Sequence, residues 1–109
     1  MTRVIVFKAG EEIRGFSCEG HAGYAEHGKD IVCAAASMLS TNTVNAMLKL
    51  TSDRPEIKVD QDSAYISCML KKKPSHDGEM LLKAFDLGVN TIMEQYGKNF
   101  LRVEYAQEC

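Results

Sequence analysis

The sequence predicts an α+β domain of two layers, in which a largely antiparallel sheet is covered by two helices. Two stretches with the apolar spacing of helices alternate with short, β-branched segments that are joined by turn-forming residues. The order of these segments is ββαββαβ, and strands that follow one another across a short turn form hairpins. A chain of 109 residues has room for one core but not for two, so residues 1–109 are expected to form a single domain.

The strand predictions depend on alternating apolar residues bounded by turns. The predicted strands span residues 2–8, 13–19, 57–59, 64–70 and 100–105. The first two flank Gly10 and the next two flank an Asp-Gln-Asp-Ser turn, so each pair is expected to form a hairpin. Because alternate residues of a strand share a face, Arg14, Phe16 and Cys18 are expected on one face of the second strand.

The helix predictions depend on apolar spacing and on end signals. Asp30 is a good N-cap for the first helix, whose apolar stripe continues to Leu50. Ser75 or Asp77 caps the second helix, and Gly97 ends it at the C′ position.

Composition excludes several classes of function. The net charge of −2 gives no reason to expect nucleic-acid binding. No apolar run approaches the roughly 20 residues of a membrane span, so the chain is expected in the cytoplasm. The four cysteines form no CxxC pair, which predicts reduced thiols in that compartment.

Two residues have the types and the context of a catalytic pair. His21 follows the second predicted strand, while Cys33 is the third residue of the first predicted helix. Backbone N–H groups and the dipole at a helix start favour a thiolate and an oxyanion. The segment from Gly20 to Lys29 contains three glycines, and we expect it to be a mobile loop that brings His21 toward Cys33. This arrangement is typical of a Cys-His hydrolase.

Simpler interpretations remain for each of these residues. Cys33 can be a small buried residue beside three alanines, and His21 an ordinary loop residue. Asp30 is explained by capping, although it could also orient the imidazole. Ser37 lies one turn after Cys33, where it could bind the thiol or the substrate, or bond its own i−4 carbonyl.

Other candidate residues have weaker support. Tyr24 and His27 are expected on the loop surface, and His76 beside a helix cap. Cys18, His21, His27 and Cys33 together have the ligand types of a zinc site. The Cys18 side chain is expected to lie on a face of the sheet before the loop begins, where it would not join the other three ligands. No metal or other cofactor is therefore predicted.

The segments Gly20-His21-Ala22-Gly23-Tyr24 and Asp30-Ile31-Val32-Cys33-Ala34-Ala35-Ala36-Ser37 resemble the bacterial ribosomal-processing cysteine proteases, the Prp family. The resemblance extends over the whole chain. It implies a cytoplasmic, homodimeric endopeptidase without a cofactor, which removes an N-terminal extension from the large-subunit ribosomal protein numbered twenty-seven. It assigns catalysis to His21 and Cys33 and gives Asp30 and Ser37 supporting roles. A non-catalytic ribosome-associated assembly factor, with structural Cys and His, is the alternative.

Overall fold

A computed structural model describes residues 1–20 and 30–108 of the chain. The elements are β1 (Thr2–Ala9), β2 (Glu12–Glu19), α1 (Ile31–Leu50), β3 (Glu56–Asp60), β4 (Tyr65–Met69), α2 (His76–Tyr96) and β5 (Leu101–Gln107). This order confirms the predicted ββαββαβ architecture, and the observed bounds differ from the predicted ones by one or two residues.

The five strands form one sheet in the order β3-β4-β2-β1-β5. Among the described strands, β1 and β5 pair in parallel, and the other three pairings are antiparallel. A helix follows each hairpin. It connects the second strand of the hairpin to the next strand, which runs in the same direction, so the chain has to cross the sheet between them. Both helices contribute buried side chains to one core, on one face of the sheet.

The core lies between the sheet and these two helices. Phe16 of β2 stacks on Phe85 of α2, with ring centroids 3.8 Å apart and an interplanar angle of 21°. Both rings are almost fully buried. Phe16 and Cys18 share a face of β2, as predicted, and they are buried with Cys68 of β4 and the aliphatic residues of β1.

Strand β2 contains an irregularity at Arg14, which the predicted alternation did not include. Phe7 pairs with Gly15, but Lys8 pairs with Ile13, so the register shifts by one residue at Arg14. Ile13 therefore joins the core at 7% exposure. The Arg14 guanidinium instead lies 2.6 Å from the Glu12 carboxylate.

The helix ends follow the predicted signals. Asp30 caps α1, and Ser75 rather than Asp77 caps α2. The Ser75 hydroxyl accepts from the Gly78 N–H and donates to the Asp53 carboxylate at 2.7 Å, so the segment after α1 holds the start of α2. Gly97 ends α2 with φ of 104°, a conformation that costs glycine little.

Helix α1 is almost uncharged, since Lys49 is its single charged residue. The expectation that no apolar run is long enough for a membrane span is wrong for α1, because this helix could cross a membrane by its length and composition alone. Core helices of soluble proteins meet the same criterion. Val32, Ala36, Val44 and Met47 of α1 are buried in the core. The apolar composition of α1 is thus explained in part by packing on the sheet.

Candidate active site

A cavity of about 360 Å³ opens beside the start of α1. Three parts of the fold line it. The floor comes from the start of β1 and the end of β2, one wall from the first three turns of α1, and the opposite wall from the β3–β4 hairpin. The size is in the range of small ligand pockets.

Cys33 lies in the helical wall of this cavity. It is the third residue of α1, as predicted, and it is partly exposed while it also contacts the core. Cys18 and Cys68 are buried instead. Among the described thiols, Cys33 is therefore the one that a molecule in the cavity can reach most easily.

Asp30 fixes the backbone around Cys33. Its carboxylate Oδ1 accepts from the N–H groups of Val32 at 3.1 Å and of Cys33 at 3.0 Å, and its carbonyl accepts from Ala34 N–H at 3.0 Å. The predicted cap is confirmed. The expectation that open N–H groups surround the thiol is wrong for Val32 and Cys33, because the Asp30 carboxylate occupies both donors.

Ser37 and Thr41 continue the helical wall one and two turns after Cys33. Both residues are exposed. Ser37 and Cys33 therefore line the same cavity, which agrees with their predicted proximity. On the buried side of α1, the Ser40 hydroxyl donates to the i−4 carbonyl of Ala36 at 2.8 Å, and the Thr43 hydroxyl donates to that of Leu39 at 2.7 Å.

Cys18 contributes to the cavity floor from the end of β2. Burial raises its pKa to about 11, and burial raises the pKa of Cys68 to about 11 as well. Both side chains therefore stay protonated near neutral pH, where a thiol is a poor nucleophile. They are structural thiols.

Gly20 is held at the cavity floor from two sides. Its N–H donates to the Ser63 carbonyl at 3.3 Å, and its carbonyl accepts from the Thr2 hydroxyl at 3.3 Å. Its φ is +86°, and a Cβ there would approach the Met1 carbonyl to 2.7 Å. A glycine is required at this point. His21 is the next residue in the chain, but His21 and the rest of the predicted loop up to Lys29 lie outside the described residues.

Sequence reasoning missed the hairpin wall. Val59 and Asp60 at the end of β3 face the cavity with Tyr65 and Ile66 of β4. Ala64, in the turn between these strands, has φ of 52°, which is uncommon for a residue other than glycine. The turn composition predicted the hairpin, but nothing in the sequence placed it opposite Cys33.

The remaining predicted candidates are Tyr24, His27 and His76. Tyr24 and His27 lie outside the described residues. His76 begins α2 with an 87% exposed side chain, and its Nδ1 lies 3.6 Å from the Asp77 carboxylate. Within residues 1–20 and 30–108, no three His, Cys, Asp or Glu side chains are grouped so as to hold a metal ion.

Comparison with known proteins gives a consistent result. The family model described as cysteine protease Prp matches residues 1–101. The ribosomal processing cysteine protease Prp of Staphylococcus aureus is 34% identical over 87 residues, which are 80% of this chain and 81% of that protein. The protein of the same name from Bacillus subtilis is 30% identical over 95 residues, 84% of each chain.

The fold agrees with a crystal structure of the essential ribosomal processing protease Prp from S. aureus, in complex with a covalently linked product peptide. The two structures superpose with a TM-score of 0.90 at 29% sequence identity, over 97% of this chain and 100% of the other.

Proposed function

Since the chain belongs to the Prp family of ribosomal processing cysteine proteases, we propose that it removes the N-terminal extension of the large-subunit ribosomal protein numbered twenty-seven during ribosome assembly. The observation that carries this proposal is the position of Cys33, partly exposed at a helix start and facing a cavity bounded by a hairpin. The cavity can accept a segment of a polypeptide beside the thiol.

In the proposed mechanism His21 is the base and Cys33 the nucleophile. The His21 imidazole takes the thiol proton, and the Cys33 sulfur attacks the carbonyl carbon of the scissile peptide bond. The carbon–nitrogen bond then breaks, and the new amine leaves with the proton from the imidazolium. Water, activated by His21, hydrolyses the resulting thioester and frees the carboxylate and the thiol.

The tetrahedral intermediate needs hydrogen-bond donors for its oxyanion. The N–H groups of Val32 and Cys33 are already bonded to Asp30. The Ser37 hydroxyl lies in the same cavity wall as Cys33, and we assign it the role of a donor to the substrate. Asp30 supports catalysis by fixing the first turn of α1.

The proposal includes a cytoplasmic homodimer. Exposed apolar side chains on the helical layer support self-association, because burial of such groups in a second copy removes them from water. Met38 of α1 is 66% exposed, and Met80 and Leu87 of α2 are 54% and 70% exposed. Sedimentation analysis of the protein and of Leu87→Glu tests this part of the proposal, since a dimer through this layer should weaken in the variant.

The decisive test is incubation of the purified protein with the ribosomal protein precursor that carries its extension. Mass spectrometry of the product should show loss of one N-terminal segment, and Cys33→Ala should give none. Cys68→Ala is the control, because Cys68 is a buried thiol away from the cavity. A wild-type protein that binds the precursor without shortening it would instead support the assembly-factor alternative.

A further inference from the structure

A second cleft, of about 490 Å³, lies at the end of the sheet remote from Cys33. It is bounded by the segment between α1 and β3 and by the segment between β4 and α2. Glu56 pairs with Met69 at this end of β3 and β4. Asp60 pairs with Tyr65 at the other end, beside the Cys33 cavity. The two ends are four residue steps apart along the strand, or about 14 Å, so the two openings are separate.

Basic side chains dominate this cleft. Its lining has four of them, against two acidic ones: Arg54, Lys71, Lys72 and Lys73, with Asp53 and Glu56. The cleft therefore has a formal net charge of +2, in a chain whose net charge is −2. The overall charge, which gave no reason to expect nucleic-acid binding, hides a local excess of positive charge. Such a patch attracts polyanions.

The two acidic groups in the cleft already have partners. The Asp53 carboxylate accepts from the Ser75 N–H at 3.0 Å and from the Ser75 hydroxyl at 2.7 Å. The Glu56 carboxylate lies between two ammonium groups, 3.6 Å from Lys58 Nζ and 3.7 Å from Lys71 Nζ. Both carboxylates are thus engaged with groups of the protein itself.

Lys72 and Lys73 present their charges to solvent from a fixed backbone. Both residues are exposed, and within the described residues neither ammonium group lies within 4.0 Å of a carboxylate. Before them, the Leu70 N–H donates to the Arg14 carbonyl at 2.8 Å, and after them Pro74 is buried. An anion that binds here does not have to order the chain, which favours binding.

We propose that this cleft binds the phosphate backbone of double-helical RNA without regard to sequence. No aromatic residue is found in its described lining, so unpaired bases have no ring to stack on. A double helix needs no such ring, because proteins contact it through phosphates and shape. The choice of RNA among polyanions rests on the proposed function, since a ribosomal protein precursor meets RNA during ribosome assembly. The anion site itself does not depend on that function.

The test is titration of a fluorescein-labelled RNA duplex of about 20 base pairs with the purified protein, followed by fluorescence anisotropy. Kd should lie between about 10⁻⁶ and 10⁻⁴ M at physiological salt, the range of sequence-independent binding. The logarithm of the binding constant should fall against the logarithm of the salt concentration with a slope of about −3, as expected for three or four phosphate contacts.

The variants are Lys72→Gln and Lys73→Gln, with Lys98→Gln as the matched control. Each cleft variant should weaken binding about threefold and make the salt slope shallower by about 1, and the double variant should lose about tenfold. Lys98 is an exposed lysine between α2 and β5, at the end of the sheet where Leu101 pairs with Thr2 of the Cys33 cavity. Its substitution removes the same charge and should change Kd by about twofold or less. Thermal unfolding checks that all variants are folded.

Equal losses in Lys98→Gln and in the cleft variants would overturn the site, because only the total charge would then matter. Absence of any binding to the duplex would overturn it as well. Polyglutamate of equal total charge that displaces the RNA at equal concentration would overturn the choice of RNA in favour of an acidic protein segment.

These measurements involve no cleavage, and the cleft variants should cut the free precursor at the wild-type rate. A protein that binds the duplex through Lys72 and Lys73 but cuts no precursor refutes the proposed function alone. A protein that cuts the precursor but does not bind the duplex refutes the RNA site alone. The two failures are therefore distinguishable.

Discussion

The Asp30 carboxylate lies 3.0 Å from the backbone nitrogen of Cys33 and accepts its N–H hydrogen bond. The same oxygen accepts from Val32 N–H, and Asp30 is buried. The proposed nucleophile is thus positioned by the residue that starts its helix. These two hydrogen bonds also occupy two donors that a helix start would otherwise offer to an oxyanion.

Substitution of Asp30 separates capping from catalysis. Asp30→Ala should lower the free energy of unfolding by about 1 kcal/mol, because the Val32 and Cys33 N–H groups lose their acceptor. Asp30→Asn should stay within a few tenths of a kcal/mol of wild type, since Asn caps about as well as Asp. Urea denaturation measures both. If Asp30→Asn stays stable but loses more than a hundredfold in kcat, the carboxylate charge itself acts on the imidazole of His21.

Cys33→Ala should abolish peptide cleavage and leave the fold intact. Alanine keeps the helix start, and the side chain is only partly buried, so little packing is lost. Product mass and circular dichroism provide the two measurements. Cys18→Ala should retain the catalytic step and lose stability instead, because its thiol is buried in the core. Turnover by Cys33→Ala near the wild-type rate would contradict the mechanism.

His21→Ala should reduce kcat by roughly 10²–10⁴-fold or more, the range of a general base. Alkylation of Cys33 by iodoacetamide at neutral pH should also become slower. Stopped assays at several pH values check both effects, with His76→Ala as the matched control on an exposed histidine. An unchanged alkylation rate and pH profile would mean that His21 is not the partner of the thiol.

Ser37→Ala should lower kcat by about tenfold to a hundredfold, as expected for loss of a hydrogen bond to a charged group. KM should change little, because the bond strengthens as the oxyanion forms. Thr41→Val is the control, since Thr41 lines the same wall one turn farther from Cys33. Equal losses in Ser37→Ala and Thr41→Val would indicate a general effect of the wall and not a donor at Ser37.

Stability should fall at alkaline pH because of the two buried thiols. Burial raises the pKa of Cys18 and of Cys68 from the ordinary value of 9.0 to about 11. The folded protein therefore holds protons that the unfolded chain releases. The contribution of these thiols to the free energy of unfolding is complete below pH 9 and is lost between about pH 9 and 11. Urea midpoints across this range measure the slope. Cys68→Ala should flatten it, and an identical slope in that variant would refute the assignment.

The element order and the helix caps could be predicted from the sequence. The caps are predictable because Asp30 and Gly97 act through local backbone geometry. The sequence did not predict the irregularity at Arg14, which depends on how β2 pairs with β1. It also failed at Val59, since an alternating strand does not reveal which helix start it will face. The cavity is formed by segments far apart in the chain, from Thr2 to Ile66. Such proximity depends on the strand order, which local patterns do not encode.

The parallel pairing of β1 with β5 bears on the order of events during synthesis. Every described residue that lines the cavity lies before residue 67, but Thr2 in its floor donates its N–H to the Phe100 carbonyl and pairs with Leu101. A chain still short of residue 100 therefore lacks one of the two strands that flank its first strand. Until β5 forms, Thr2 in the cavity floor lacks its backbone hydrogen bond to the Phe100 carbonyl, although β5 contributes no described residue to the cavity lining.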